Sequence, residues 1–191
     1  MEVESVLVTG ANRGIGLEFV RQLAQQPKPP RYVFASYRDP NTLQTLEKVR
    51  DASKETQIVL VKMDVRKKNE IEGVRNIIED TVGDKGLNLL INNAGAFKWL
   101  GFPEITEEDL LFHFSNNAVG PVMVLKMNNQ SFQPSCVDLH DNRRSSCPSV
   151  KYRSAFNISH GTQKSVFKWR LFIILLVHPR TPYFDNVYLK Q

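Results

Sequence analysis

Three glycines, Gly10, Gly14 and Gly16, follow an apolar run at residues 6–8 with a spacing that suits a tight turn into a helix. Because they lack side chains, they let a phosphate group approach the backbone closely. The start of the helix offers that phosphate unpaired N–H groups and the positive end of the helix dipole. The spacing G-x-x-x-G-x-G therefore predicts a dinucleotide-binding turn, with an ordinary strand-to-helix turn as the alternative.

A second chemical feature lies in a long helix predicted to open at Thr106. Pro121 has no N–H group to donate to the carbonyl four residues back, which belongs to Asn117. A kink at this point would leave the Asn117 carbonyl free for a water molecule or a ligand. A kinked helix without any further role is the alternative, since most kinks are explained by a proline alone.

Apolar periodicity predicts the elements that position these residues. Strands are predicted at residues 6–8, 32–37, 58–63 and 87–91, and helices at 14–25, 42–50, 67–82 and from 106 onward. We expect Ile15, Leu110 and Phe114 to lie on the inward faces of their helices. Strands that alternate with helices imply right-handed crossovers and a parallel sheet. The predicted fold is α/β, a Rossmann-type doubly wound parallel sheet that is incomplete on its C-terminal side.

The composition divides the chain near residue 126. Residues 1–126 carry 16 lysines and arginines against 17 aspartates and glutamates, whereas residues 127–191 carry nine against three. The excess positive charge thus belongs to the tail, and we predict no nucleic-acid or membrane partner for the domain. We interpret residues 1–126 as a dinucleotide-binding region and residues 127–191 as a divergent basic tail that is partly disordered, chiefly between 128 and 150.

One segment of the tail, residues 171–177, is apolar enough to be buried in a sheet. Since the fourth strand needs a neighbour, we predict that this segment enters the sheet on that side, and an exposed, insoluble segment is the alternative. We see neither a secretory signal nor a stretch of about 20 apolar residues, and therefore expect a soluble, cytoplasmic protein. The sequence is compatible with a homo-oligomer.

Four motifs together resemble the short-chain dehydrogenase/reductase family, over residues 3 to about 126. Besides the glycine turn, which reads Thr-Gly-Ala-Asn-Arg-Gly-Ile-Gly from Thr9, they begin at Asp64, Asn92 and Asn117 and read Asp-Val, Asn-Asn-Ala-Gly and Asn-Ala-Val-Gly. The Pro-Lys-Pro-Pro stretch from Pro27 is similar to that of the C-factor and carbonyl-reductase-like branch.

The resemblance implies a cofactor-binding set and no metal site. In that family the glycines hold the pyrophosphate, Asp64 accepts a hydrogen bond from the adenine amino group, and the Asn92 motif closes over the ribose. A polar turn after a strand is the alternative for Asn92 and its neighbour. The implied set is Gly10, Asn12, Arg13, Gly14, Ile15, Gly16, Arg38, Asp64, Val65, Asn92, Ala94 and Gly95.

The charge after the second strand favours NADP (NADPH) over NAD. An acidic residue there would hold the ribose hydroxyls of NAD and repel a 2′-phosphate. Arg38 stands there instead, and Arg13 stands in the glycine turn, so two guanidinium groups could bind one phosphate. Asp39 follows directly and, as an acidic residue, favours NAD instead. Both arginines could also simply be solvated surface charges.

The resemblance is weakest at the catalytic centre. The family uses a tyrosine as proton donor, a lysine four residues later that lowers its pKa, a serine and the helix asparagine. Asn117 matches that asparagine, and Tyr152 is the tyrosine nearest to the expected place. Phe156 stands where the lysine belongs and the next lysine is Lys164, so Tyr152 could equally be an ordinary loop tyrosine.

The resemblance implies an NADP-dependent oxidoreductase that reduces a small-molecule carbonyl compound to an alcohol. Aromatic residues in the loop at 96–104 suggest an apolar substrate, although they could simply cover the core. The alternative is a catalytically impaired nucleotide-binding variant that lacks the Tyr-x-x-x-Lys pair. A third interpretation, in which the basic tail is an arm for acidic partners, has less support because the tail has no dense lysine and arginine block.

Overall fold

The computed structural model describes residues 3–126 in full, together with the backbone of residues 127–128, 151–153 and 174–177. Its strands are β1 (Ser5–Val8), β2 (Tyr32–Tyr37), β3 (Gln57–Lys62), β4 (Leu89–Asn92), β5 (Lys151–Arg153) and β6 (Ile174–Val177). Its α-helices are α1 (Gly14–Ala24), α2 (Gln44–Ala52), α3 (Lys68–Val82), α4 (Glu107–Phe114) and α5 (Gly120–Asn128). From β1 to α4, strands and helices therefore alternate as the sequence predicts.

The strand order in the sheet is β3-β2-β1-β4-β6-β5. β3, β2, β1 and β4 run parallel, with Leu7 level with Phe34 on one side and Leu90 on the other. This arrangement confirms the Rossmann-type parallel sheet. β6 lies beside β4, where residues 171–177 were expected to enter the sheet, but it runs antiparallel to β4 and to β5.

Two apolar cores lie on opposite faces of the sheet. One contains Leu7, Phe34 and Leu90 with residues of α3 and α5, and the other contains Val6 and Val8 with residues of α1 and α2. Successive side chains of a strand point to opposite faces, so the unbroken apolar run of β1 supplies both cores. Within the described part of the chain, no helix has the length and apolar character needed to cross a bilayer.

The helical region from Glu107 to Asn128 corrects one prediction. A π-helical segment, Ser115–Val119, separates α4 from α5. The extra residue in that turn shifts the phase of the side chains, so a single helical period does not describe both halves. Leu110 and Phe114, expected to face inward, are 54% and 61% exposed, and Asn116 is buried instead.

The predicted division at residue 126 stays a prediction. Residues 129–150, most of the segment expected to be disordered, lie outside the described residues, as do 154–173 and 178–191. Phe156 and Lys164 are therefore also outside the described part of the chain.

Candidate functional site

The glycine turn joins β1 to α1 and packs tightly on one side only. Gly10 and Gly14 have φ angles of 65° and 57°, which disfavour any residue with a side chain. A Cβ atom at Gly16 would overlap the Gly10 carbonyl oxygen and the Asn93 amide nitrogen, whereas no atom lies within 4 Å of the corresponding position at Gly14. Internal packing therefore demands glycine at position 16, and the absent side chain at Gly14 leaves the outer side of the turn open.

Asn93 and Thr9 lock this turn to the loop after β4. The Asn93 side-chain amide donates to the carbonyl oxygens of Thr9 and Gly10, at 2.9 and 3.1 Å. The Thr9 hydroxyl oxygen accepts from the backbone N–H groups of Asn93 and Ala94, at 2.9 and 2.8 Å. The turn and the loop thus form one rigid edge, although the sequence assigned neither Thr9 nor Asn93 to the site.

The first turn of α1 has free backbone donors. Arg13 is the N-cap residue, in extended conformation, and its side chain makes no capping hydrogen bond. The Leu17 N–H donates to the Arg13 carbonyl at 3.3 Å, so the N–H groups of Gly14, Ile15 and Gly16 precede the intrahelical bonds. Ile15, expected to face inward, is 52% exposed. This end of the helix can accept an anion without losing any bond.

The end of β2 forms the next wall of the site. Ser36 accepts from the Gly10 N–H through its hydroxyl, at 3.1 Å, and from the Ala11 N–H through its carbonyl, at 2.7 Å. Arg38, directly beyond the strand, is exposed. The Asp39 carboxylate accepts from the Asn41 backbone N–H and side-chain amide at 2.9 and 3.0 Å, so it caps the following turn.

Asn12 adds a tie between this wall and the glycine turn. Its side-chain amide donates to the Thr42 hydroxyl at 2.7 Å. Thr42 in turn donates to the Asp39 carbonyl oxygen, also at 2.7 Å. Asn12 therefore holds the loop after β2 in place from within the turn.

Asp64, just beyond β3, is buried and is kept ionised by its neighbours. Arg66 donates to it through Nε and Nη2, at 3.0 and 2.6 Å, and through its backbone N–H, at 3.0 Å. The side-chain hydrogen bonds from Arg66 hold the pKa of the Asp64 carboxyl below its ordinary value, against burial, which raises it. Val65 lies against Gly120, where a Cβ atom would come within 2.7 Å of it, so α5 packs directly on this corner.

The loop after β4 is connected to the helical region by two asparagines. Asn117 accepts from the Ala96 N–H at 2.9 Å and donates to the Ala96 carbonyl at 2.8 Å. The Asn92 side-chain amide donates to the Pro121 carbonyl at 3.3 Å, and its own carbonyl oxygen is buried without a partner among the described residues. Gly95 is exposed between them.

Tyr152 lies in the outermost strand of the sheet. Its backbone in β5 is level with Leu176 of β6, which is level with Leu90 of β4. With strands about 4.8 Å apart, Tyr152 is separated from β4 by about two strand spacings. The structure thus brings the predicted cofactor-binding residues together at the carboxyl ends of the parallel strands and places the Tyr152 backbone two strands to the side of β4.

A family model described as short chain dehydrogenase matches residues 4–134. Galactitol 2-dehydrogenase of Agrobacterium fabrum is 30% identical over 120 residues, which is 63% of this chain and 43% of that protein.

Two solved structures are also similar. The NADPH-bound carbonyl reductase from chicken fatty liver has a TM-score of 0.64 and 37% identity, over 69% of this chain and 52% of that one. The carbonyl reductase Sniffer of Drosophila melanogaster has a TM-score of 0.63 and 31% identity, over 68% and 52%. The chain therefore spans about half the length of each of these relatives.

Proposed function

The chain belongs to the short chain dehydrogenase family, and on that premise we propose that it binds NADP and reduces a carbonyl compound to an alcohol. The observation that carries this proposal is the glycine turn, with its open outer side and free N–H groups, locked against the loop after β4. Such a turn suits a pyrophosphate because backbone N–H groups and the helix dipole both stabilise negative charge.

In this proposal each wall of the site holds one part of the cofactor. The N–H groups of Gly14, Ile15 and Gly16 bind the pyrophosphate, Asp64 and Val65 bind the adenine, and residues 92–95 bind the ribose next to the nicotinamide. Gly10 and Asn12 act indirectly, through the packing and the hydrogen bond that shape the turn.

Three observations favour NADP over NAD. Arg13 and Arg38 are both exposed, at the turn and at the end of β2, and both can make charge-assisted hydrogen bonds to a 2′-phosphate. Asp39, the residue that argued for NAD, accepts two hydrogen bonds from Asn41 and is committed to capping its own turn. The chicken carbonyl reductase, which resembles this chain, carries NADPH.

When bound, reduced nicotinamide supplies a hydride to the carbonyl carbon. The chain's own contribution is to position the substrate and to deliver a proton to the carbonyl oxygen. We assign the positioning to Asn117, which holds Ala96 at the start of the substrate loop, and the proton to Tyr152. Phe97 and Trp99 in that loop are 53% and 81% exposed, which supports an apolar substrate.

A nucleotide-binding protein without turnover is the second candidate, and one observation favours it. Tyr152 lies in the edge strand, two strands beyond β4, and Phe156 occupies the place of the lysine that would lower its pKa. Without a cation within about 4–6 Å, a tyrosine keeps a pKa near 10 and is a weak acid catalyst at neutral pH.

Two measurements on the full chain separate these candidates. NADPH and NADH are titrated by fluorescence, and NADPH oxidation is followed with a panel of apolar aldehydes and quinones. Binding with oxidation that Tyr152→Phe abolishes supports the reductase, whereas binding without oxidation supports the second candidate. Absence of binding to both nucleotides would refute the proposal as a whole.

A further inference from the structure

Contacts among the described residues leave the Asp64 carboxylate one free acceptor position. Its Oδ1 atom accepts from the Arg66 backbone N–H and from Arg66 Nε, both at 3.0 Å. Its Oδ2 atom accepts from Arg66 Nη2 at 2.6 Å. A carboxylate has about four lone-pair positions, two on each oxygen. Arg66 therefore occupies three of them, and the fourth is on Oδ2.

The orientation of this carboxylate is fixed from several directions. The Arg66 guanidinium lies over the Phe112 ring of α4, at 5.6 Å from its centroid, and the Lys98 ammonium lies 5.0 Å from the same ring. The Asp64 backbone N–H donates to Glu70 at 2.7 Å, and Lys67 donates to the other oxygen of Glu70 at 3.1 Å. Bidentate bonding and stacking both depend on the planar fork of arginine, which lysine cannot reproduce.

We propose that Arg66 is a positioning residue that makes the adenine pocket select a 6-amino purine over a 6-oxo purine. This inference rests on the proposed nucleotide-binding function. The 6-amino group of adenine donates one hydrogen bond, which the single free position on Asp64 Oδ2 can accept. Hypoxanthine presents a carbonyl oxygen there, and a carboxylate held in place by Arg66 has no donor to offer it and cannot shift to accept from the neighbouring N1–H group. The two oxygens then repel each other.

The pKa of Asp64 supports the same arrangement. The side-chain hydrogen bonds from Arg66 lower it, with a smaller contribution from the charge of Arg38, so the carboxyl group stays ionised. An ionised carboxylate cannot donate to hypoxanthine, and one held by Arg66 cannot turn aside to make room for a water molecule. Without Arg66, the carboxylate could rotate or take up a proton, and both changes would relieve the repulsion.

The test compares two reduced nucleotides, NADPH and its hypoxanthine analogue, by fluorescence titration of the full chain. We expect the wild-type protein to bind NADPH at least about tenfold more tightly, since a hydrogen bond to a charged group contributes about that factor. In Arg66→Ala the ratio of the two dissociation constants should fall below about threefold. Arg66→Lys, which keeps the charge without the fork, should lose most of the selectivity too.

Arg21→Ala is the matched control, because Arg21 makes a similar bidentate pair with Glu18, at 2.9 and 2.6 Å, on the surface of α1. The ratio of the two dissociation constants in Arg21→Ala should equal that of the wild-type protein. An unchanged ratio in both Arg66 variants would overturn the inference while leaving the proposed function intact. If the wild-type protein bound neither nucleotide, the proposed function and this inference would both fail.

Discussion

Asn117 and Ala96 bond to each other twice, although 21 residues separate them in sequence. The Asn117 amide donates to the Ala96 carbonyl at 2.8 Å, and its carbonyl oxygen accepts from the Ala96 N–H at 2.9 Å. An amide side chain can make this reciprocal pair because it carries both a donor and an acceptor. The pair fixes the first residue of the aromatic loop against the π-helical segment of the long helix.

Asn117→Ala should loosen this loop without unfolding the domain. Both hydrogen bonds are lost at an exposed site, so we expect a destabilisation of about 1 kcal/mol and faster hydrogen exchange at the Ala96 amide. Exchange monitored by mass spectrometry on peptides covering residues 94–101 measures the effect. Asn12→Ala is the control, since it removes a side-chain hydrogen bond to Thr42 instead. Equal exchange of the loop in both variants would contradict the assignment.

Gly14→Ala should weaken NADPH binding while Gly83→Ala does not. The two glycines have φ angles of 57° and 55°, and at neither does any atom lie within 4 Å of the place that an added Cβ would take. Each substitution therefore costs about 1–2 kcal/mol of backbone strain, which makes Gly83 a matched control for stability. Only Gly14 lies in the turn that we propose binds the pyrophosphate. Thermal unfolding and NADPH titration of both variants test this, and equal binding would argue against a phosphate at the turn.

Arg38→Asp should weaken or reverse the preference for NADPH over NADH. The substitution removes the proposed partner of the 2′-phosphate and replaces it with a carboxylate, which can accept hydrogen bonds from ribose hydroxyls. Arg31→Asp makes the same change of charge at the other end of β2, where Arg31 lies over the Tyr32 ring. We expect the ratio of the two dissociation constants to fall about tenfold or more in Arg38→Asp only. A wild-type protein that binds both cofactors equally would refute the NADP assignment.

Much of the sheet could be predicted from the sequence because its strands are buried on both faces. The sequence predicted strands at the apolar run that begins at Val6 and at the six-residue run that begins at Tyr32, and both form strands in the structure. The predicted start of α2 was two residues early, since Pro40–Thr42 forms a separate 3₁₀ turn that Asp39 caps. The predicted opening of the long helix at Thr106 is confirmed, since Thr106 is the N-cap residue of α4 and forms a capping box with Asp109.

The site was only partly predictable, since its contacts join residues that are distant in the sequence. Motif spacing predicts Gly10 and the family resemblance implies Asp64, but nothing in the local pattern indicates that Asn93 bonds to Thr9 across 84 positions. Asp64 and Arg66 are only two positions apart in sequence. Their ion pair lies in a loop, however, where no periodic pattern of residues indicates that the two side chains meet. The π-helical segment directly after Phe114 interrupts the helical period from which an inward position of Phe114 was predicted.

Leu175→Pro should lower the stability of the whole domain. Leu175 is level with Ile91 of β4 on one side and with Arg153 of β5 on the other, so it lies inside the sheet. Proline removes a backbone donor there and is tolerated essentially only at sheet edges. Leu175→Ala keeps the donor and controls for the side chain. We expect the proline variant to have a lower midpoint of urea unfolding than the alanine variant. Equal midpoints, with higher solubility, would mean that the segment does not pair with β4.

The ion pair between Arg66 and Asp64 should make stability depend on pH below the ordinary pKa of an aspartate. Arg66 lowers the pKa of Asp64 from 3.8 in the folded state. A lowered pKa contributes stability that is present above 3.8 and is lost as the pH falls through the folded-state pKa. At pH 7 we expect Arg66→Ala to lower the free energy of unfolding by about 1 kcal/mol. This is the upper end for exposed ion pairs, and we apply that range because the Arg66 side chain is 37% exposed. In that variant burial raises the pKa of Asp64, so the difference from the wild type should shrink steadily on acidification. Urea unfolding at pH 7, 5 and 3.5 measures it, and a difference that grew toward low pH would show that Asp64 is not the group that Arg66 stabilises.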